Sequence, residues 1–250
     1  MLYIESQPSL TSNDYLGLSN YLSNKITLND IKTCEEADII NYKKYVMIDN
    51  IFNEIQKNNN LDDERIIIHY QPIISSIGEC KKAEALMRLR VNDVIYYPGD
   101  FLDVIENENY SHFITKVILN KVCNDIKKLE NESYLFDKIS INLSTEDLLI
   151  NDGYKDLIDI VENKHQLTFD KIAFEILENT DKVKYEPLVR AMTAFKSITN
   201  VEFYLDDFGS GYSNLLRLLS LPVDIIKFDR DVLKKIKQNE AVFSTVSTNV

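Results

Sequence analysis

Tryptophan is missing altogether, and the 250 residues include only six glycines, five prolines, three cysteines and three histidines. Each scarcity excludes something. Cys34, Cys80 and Cys123 lie far apart and are odd in number, so they build neither a disulfide framework nor a zinc spacing, and they suit a reducing compartment. His69, His112 and His165 are isolated from one another, which leaves oxygen ligands as the basis of any metal site. Positive charge is also short. A formal net charge of −12 argues against a nucleic-acid polymer as partner, because phosphate backbones need clustered Lys and Arg. A small anionic ligand remains compatible if metal ions neutralise the contact. No apolar run approaches the length of a membrane span, and residues 1–6 lack the basic start of a signal peptide. The expected location is the cytoplasm, either as a free protein or as a cytoplasmic piece of something larger.

With glycine so rare, Gly209 and Gly211 stand out. They follow an apolar run, Val201 to Leu205, that reads as a buried strand and ends in Asp206 and Asp207. Paired acids at a strand end, followed by a loop able to approach a ligand closely, suit a hard cation and a phosphate. A turn with two solvated acids is the plain alternative.

The rest of the chain gives this stretch its context. Residues 1–60 are rich in asparagine, with a short strand expected at Met1 to Glu5 and a helix at Asp38 to Gln56. The polar stretch Lys57 to Glu64 marks a boundary. Beyond it, strand and helix alternate. Strands are expected at 66–74, 83–89, 138–143, 171–177, 201–205 and 224–228. Helices are expected at 99–106, 113–129, 145–149, 154–163, 186–198 and 213–219, with a further helix after the last strand. Such alternation predicts a parallel α/β architecture. The expected organisation is therefore an N-terminal segment at 1–60 and one α/β domain at 61–250.

A polar residue recurs in these apolar strands: Glu84, Asn142, Glu175, Asp206 with Asp207, and Lys227. The intervals from Glu84 through Asn142, Glu175 and Asp206 to Lys227 are 58, 33, 31 and 21 residues. A (β/α)₈ barrel uses roughly 30 residues per unit and delivers every strand's C-terminal end to one face. A charge inside a strand is costly unless it is paired or metal-bound. Several carboxylates and one amide in register make an oxygen-rich cluster suited to Mg²⁺ or Mn²⁺. A pair of such ions favours in-line displacement at phosphorus, with Lys227 placed to meet charge developing on phosphate oxygens. The pattern points to a metal-dependent phosphoesterase and does not name a substrate.

The motifs go further. Glu84-Ala85-Leu86-Met87-Arg88 resembles the motif that names the EAL-domain family. The likeness takes in Tyr70-Gln71-Pro72-Ile73, Pro98 with Phe101, Ile141-Asn142-Leu143-Ser144 and Glu175-Ile176-Leu177-Glu178. It continues through the stretch from Asp206 to Ser213 and Leu221-Pro222-Val223-Asp224 to Ile226-Lys227-Phe228-Asp229. It covers residues 65 to 236 approximately. The resemblance implies a modified TIM barrel that hydrolyses cyclic di-GMP to linear pGpG with two metal ions. By position it assigns Glu84, Asn142, Glu175, Asp206 and Asp207 to the metal site, Asp207 being associated with the second ion. Lys227 is assigned to the attacking water, Glu178 to steadying the glycine loop, and Gln71 and Arg88 to the guanine and phosphate sides of the ligand. The plain alternatives are a surface ion pair for Glu178, a strand-backbone contact for Gln71 and a solvated face for Arg88.

Two departures accompany the likeness. Leu89 stands where the family usually has Trp, which is expected to soften the ligand pocket. The family's Glu-Gly-Val-Glu strand, whose first Glu serves as general base, and a later Gln-bearing strand are not found. The expectation is therefore an incomplete TIM-like barrel of about six strands, truncated at its C-terminus and impaired in turnover. The competing reading is a non-catalytic EAL module that binds cyclic di-GMP or a protein partner. Residues 36–44 are similar to the closing helix of GGDEF domains, although a linker helix explains them as well. Fusion or association with GGDEF or sensor domains, and dimerisation, complete the partner expectations.

Overall fold

The structure, a computed structural model, describes residues 2–3, 10–23, 32–149, 153–177, 185–209 and 221–238. The chain forms two compact units. One combines Met1–Asn59 with Pro98–Tyr110, and the other combines Asn60–Tyr97 with Ser111–Val250. The polar stretch at 57–64 thus coincides with a unit boundary, and the segment from Pro98 belongs with the N-terminal unit.

In the first unit β1 (Leu2–Tyr3) and β2 (Lys32–Thr33) pair in parallel. Helix α1 (Ser12–Ser23) opens with a reciprocal cap: the Thr11 backbone N–H donates to Asp14 at 2.8 Å, and the Asp14 N–H donates to the Thr11 hydroxyl at 3.3 Å. Helix α2 (Glu36–Lys57) buries one stripe, including Ile48, Ile51, Phe52 and Ile55. Helix α3 (Pro98–Asn107) begins on a proline, whose missing N–H costs nothing at the first helical position. Phe52 meets Phe101 edge-on at 6.2 Å, and the Tyr110 hydroxyl donates to Asp49 at 2.7 Å. β1 lies within the strand expected at Met1 to Glu5, whereas α1 and the two-residue β2 were not expected from the sequence.

The second unit is a seven-stranded sheet with helices. Strand β3 (Ile66–Ile74) pairs antiparallel with β4 (Cys80–Val91). Asn92 and Asp93, both at positive φ, then make a two-residue turn into β5 (Val94–Tyr96), which returns along β4. After α4 (Ser111–Asn131) come β6 (Lys138–Asn142), α5 (Thr145–Leu149) and α6 (Gly153–Ile158). The expected helix at 154–163 splits here, because α6 passes into a wide π-helical turn at Asp159–Lys164. Strand β7 (Ile172–Leu177), α7 (Tyr185–Thr199), β8 (Glu202–Phe208), β9 (Ile225–Phe228) and α8 (Arg230–Gln238) follow. The sheet order is β3-β4-β6-β7-β8-β9, with β5 on β4, and β4, β6, β7, β8 and β9 run parallel. Among the described residues this TIM-like sheet is open, with β3 and β9 at its edges. The antiparallel β3 departs from the all-parallel expectation; the short connection after Ile74 lacks room for a crossover helix. The helix expected at 213–219 lies outside the described residues.

Two-residue periodicity gives the sheet unlike faces. Ala85, Ile139, Ile141, Phe174, Phe203 and Leu205 point to one face and pack under helices carrying Leu119, Val122, Ile126, Met192 and Phe195. The opposite face carries Glu84, Ser140, Asn142, Glu175 and Asp206. Phe195 centres the aromatic part of the core, 5.4 Å from the Phe169 ring, 5.5 Å from Tyr154, 5.7 Å from Phe174 and 6.0 Å from Phe203.

Two predictions follow from this packing. Phe195→Ala, which opens a cavity bounded by four rings, should lower unfolding free energy by about 3–5 kcal/mol in urea titrations; a loss under about 1 kcal/mol would show that the core collapses to fill it. The second concerns His165, which is buried with its Nε2 2.9 Å from the Asn120 side-chain oxygen. Burial, and then Lys127 and Lys164, hold its pKa below the ordinary histidine value. Its contribution is thus present above about pH 6.5 and is lost as pH falls below that value. His165→Gln should flatten the stability profile between about pH 7 and 5 relative to the parent, and parallel profiles would rule the histidine out as the source.

Candidate active site

Five of the six polar residues singled out along the strands meet at one end of the parallel sheet. Glu84 comes from β4, Asn142 from β6, Glu175 from β7, Asp206 from β8 and Lys227 from β9. Register explains the convergence: Asn142 pairs with Glu175, Leu177 with Asp206, and Leu205 with Ile226. Side chains in such register emerge side by side on one face. The Lys227 ammonium lies at the centre. It donates to Glu84 Oε2 at 3.0 Å and to Glu175 Oε2, and it stands 3.2 Å from Asp206 Oδ1. The Asn142 amide donates to Glu84 Oε1 at 3.1 Å.

The paired aspartates do not follow the strand; they interrupt it. Between Leu205, which pairs with Ile226, and Phe208, which pairs with Phe228, the register of β8 slips against β9. Two residues, Asp206 and Asp207, therefore oppose the single residue Lys227, which is the geometry of a β-bulge. Asp207 takes φ 54°, a conformation that a short polar side chain tolerates better than most. Across the bulge it is Asp206 that reaches the lysine, 3.2 Å away. Asp207 is exposed.

The electrostatics are those of an acid cluster around one fixed cation. Glu175 is 1% exposed. Burial pushes its pKa up, the nearby Glu84 adds to the rise, and hydrogen bonds from Lys227 and Ser140 oppose it. For Lys227, burial pulls downward, but Glu175 and Glu84 outweigh it and the net shift is upward. At neutral pH Lys227 is therefore a permanent cation and a hydrogen-bond donor, not a base. Asp207 is raised by partial burial, then by Asp206 and Asp229.

Gln71 pairs directly with Glu84 across β3 and β4, so it shares the site face, where it is exposed. Arg88 lies further along β4 on that face. Its Nη1 donates to the Met87 carbonyl at 2.7 Å, and its guanidinium sits 5.0 Å from the Tyr97 ring centre. Arg88 is thus held by protein groups on the site face. Glu178 lies outside the described residues, as do Ser210 to Ser213. Gly209 is at φ 92°, and a Cβ there would come within 2.7 Å of Val232 on α8, so helix packing as well as backbone conformation requires glycine.

One sequence expectation is corrected. Leu89 is fully buried on the face opposite Glu84 and Arg88, so a leucine there changes the core and leaves the ligand face untouched. Sequence reasoning also passed over Ser140, buried on the site face and a hydrogen-bonding neighbour of Glu175. The alternation Lys138-Ile-Ser140-Ile-Asn142 was the signal for it.

A divalent ion is tested against these residues by chemistry and by satisfaction. Among the described residues Glu175 Oε1 is buried with no hydrogen-bond partner, an orphaned carboxylate oxygen. Glu84, Asn142, Glu175, Asp206 and Asp207 form a hard-oxygen set that fits Mg²⁺ or Mn²⁺. Among the described residues no three acids, histidines or cysteines are gathered closely enough to hold an ion directly. The lysine ammonium lies between the acids instead.

The EAL domain family model matches residues 53–247. The probable cyclic di-GMP phosphodiesterase PdeB of Escherichia coli is 30% identical over 181 residues, covering 71% of this chain and 34% of that protein. The signaling protein YkoW of Bacillus subtilis is 28% identical over 184 residues, covering 71% of this chain and 22% of that protein. The chain therefore spans about a third or less of the length of such relatives. Among solved structures, the EAL enzyme Bd1971 in its cAMP- and cyclic-di-GMP-bound form superimposes with TM-score 0.65 at 25% identity, covering 82% of this chain and 55% of that one. The MucR phosphodiesterase in complex with c-di-GMP gives TM-score 0.67 at 22% identity, covering 81% and 80%, and supports the fold. With the family model spanning most of the sequence and the acids of successive strands gathered at one sheet end, the chain belongs to the EAL domain family.

Proposed function

We propose that this chain carries the site for metal-dependent hydrolysis of cyclic di-GMP to linear pGpG, acting in the cytoplasm. The observation that carries the reading is the convergence of Glu84, Glu175 and Asp206, from three parallel strands, on Lys227. Relatives named as cyclic di-GMP phosphodiesterases, among them NbdA of Pseudomonas aeruginosa and PdeR of Escherichia coli, support the substrate. Dependence on divalent metal goes with the family in general.

In this reading Glu84, Asn142, Glu175 and Asp206 hold an ion, and Asp207 serves a second. A bound divalent ion supplies Lewis-acid polarisation at a phosphate oxygen. Lys227 adds a fixed positive charge and a donated hydrogen bond, which stabilise charge building on the phosphoryl oxygens or orient the attacking water. In this reading Lys227 acts as a cation and hydrogen-bond donor, so another group takes the proton from that water. Gln71 and Arg88 extend the face along which the dinucleotide lies. Since the chain spans about a third of PdeB, its pairing with sensor or GGDEF domains, and dimerisation, belong to this proposal as well.

A second reading is a module that binds without turnover. Its support is the lysine lodged between the acids, together with an open sheet in which β9 is an edge among the described residues. Among the described residues the strand bearing Lys227 is hydrogen-bonded to β8 on one side only, and a misplacement of about 1 Å can cost on the order of 10²-fold in rate.

Two measurements separate these readings. Lys227→Met leaves buried acid uncompensated and should cost about 3 kcal/mol of stability in metal-free buffer. Mn²⁺ should restore much of that loss, whereas the Glu175→Gln chain should gain little from Mn²⁺. Equal stability of Lys227→Met and parent without metal would refute the central role of the ammonium. Turnover is the other measurement. The 250-residue chain is assayed for pGpG beside a version extended by a family-type C-terminus carrying a general-base glutamate. Calorimetric binding of cyclic di-GMP with Mg²⁺ by both, and turnover about 10²–10⁴-fold faster in the extended form, is the expected result. Equal, robust turnover would mean that the base already lies within these residues. Binding of GMP as tightly as cyclic di-GMP would overturn the substrate assignment.

A further inference from the structure

The β4–β5 hairpin carries an aromatic side chain to the site face. The turn at Asn92 and Asp93 fixes the register: Val91 pairs with Val94, Arg90 with Ile95 and Leu89 with Tyr96. The next position in that ladder sets Tyr97 against Arg88. Directly opposed residues in an antiparallel pair lie on one face, and the face of Arg88 is that of Glu84. The observed contact agrees, with the guanidinium carbon 5.0 Å from the Tyr97 ring centre.

Three properties of this pair point beyond packing. Tyr97 is 55% exposed although its ring is engaged by Arg88, so it offers aromatic surface to solvent. Arg88 is anchored by the Nη1 bond to the Met87 carbonyl, and among the described residues its buried Nε has no hydrogen-bond partner. The guanidinium is thereby fixed in orientation, and the ring lies against it. Finally, Arg88 is four residues beyond Glu84 along an extended strand, about 13 Å at 3.3 Å per residue. That span suits a dinucleotide whose phosphate sits among the acids and whose base reaches outward.

We propose that Tyr97 is a specificity-determining residue, a stacking platform for a guanine base held in place by Arg88. The inference rests on the reading of cyclic di-GMP as ligand, and it moves Arg88 from the phosphate side, where the resemblance puts it, to the guanine end. Planar bases stack on tyrosine, and an arginine lying against the ring adds its own cation–π contact. Tyr97 lies outside the metal set, so its substitution should leave the ion-binding acids intact.

The test uses the full chain with Mg²⁺ and cyclic di-GMP in titration calorimetry, with Mn²⁺ affinity and thermal stability measured in parallel. Tyr97→Phe, which keeps the ring, should bind within about twofold of the parent. Tyr97→Leu and Tyr97→Ala should weaken binding by about 10–100-fold, the scale of one stacked base, with Mn²⁺ affinity unchanged. Tyr97→Ala combined with Arg88→Ala should lose less than the product of the single losses, because the two act as one unit. Binding by Tyr97→Leu equal to that of Tyr97→Phe would overturn stacking, as would Tyr97→Ala at parental affinity, and either result leaves the ligand assignment standing. A parent chain that binds Mn²⁺ but no cyclic di-GMP overturns the ligand assignment and the platform together. A drop in Mn²⁺ affinity or melting temperature matching the loss in ligand binding would reduce Tyr97 to a structural residue.

Discussion

The arrangement depends on one ammonium among acids. Glu84, Glu175 and Asp206 arrive from separate strands, and the fold brings them within reach of one another whatever their charge. Two unit charges about 4 Å apart interact by roughly 4 kcal/mol at the effective dielectric typical near a protein surface. Repulsion of that size would push the strand ends apart if nothing stood between them. Lys227 contacts all three acids, and its raised pKa keeps it charged throughout the neutral range. The geometry around it then makes sense. The bulge in β8 sets Asp206 and Asp207 opposite the single residue Lys227 in the ladder. Asp229, two residues on, accepts the backbone N–H groups of Asp231 at 2.8 Å and Val232 at 3.3 Å, so the strand carrying Lys227 ends in the cap of α8. The cation is thus fixed by β-pairing before it and by a capped helix after it.

The sequence made much of this legible, and the failures have physical causes. The periodic placement of Glu84, Asn142, Glu175, Asp206 and Lys227 was readable because a charge inside an apolar strand is costly and therefore conspicuous. The α/β alternation was readable for the same reason: its strands are apolar runs and its helices have apolar stripes. What escaped was set by local backbone chemistry. The β4–β5 hairpin turns on Asn92-Asp93, without the glycine that usually marks a two-residue turn, so β4 was read as ending at 89 and β5 was not seen. Asp206 and Asp207 look like a strand end because two acids in succession break alternation, yet they are a bulge within β8, which runs on to Phe208. The π-helical turn at Asp159–Lys164 continues the pattern of α6 with one residue more per turn, a difference that side-chain periodicity does not resolve over so short a span. Leu89 was assigned to the ligand side by analogy with an aromatic residue, and only its register shows that it faces the core.

Charge on the site face is layered along the strands, and the layers differ in balance. Toward the N-terminal ends Lys138 pairs with Glu202 at 3.2 Å, and the Tyr204 hydroxyl donates to the same glutamate at 3.1 Å. Lys82 lies 5.8 Å from the Tyr204 ring centre, and Lys196 pairs with Asp224 beside them. Both anions there, Glu202 and Asp224, are paired with a lysine, and Tyr204 is buried at 2% exposure, so this layer carries no uncompensated negative charge. One step toward the C-terminal ends the balance changes. Glu84, Glu175 and Asp206 share Lys227, with Asp207 beside them in sequence, and among the described residues the buried Oε1 of Glu175 has no hydrogen-bond partner. Negative charge in excess of its compensation, in a partly buried place, is unfavourable unless positive charge can be added from outside. The two layers are built on the same strands from the same residue types, so the difference is not a by-product of the fold. It localises the demand for added cations to the sheet end where the bulge, the capped strand and the hairpin carrying Arg88 all lie.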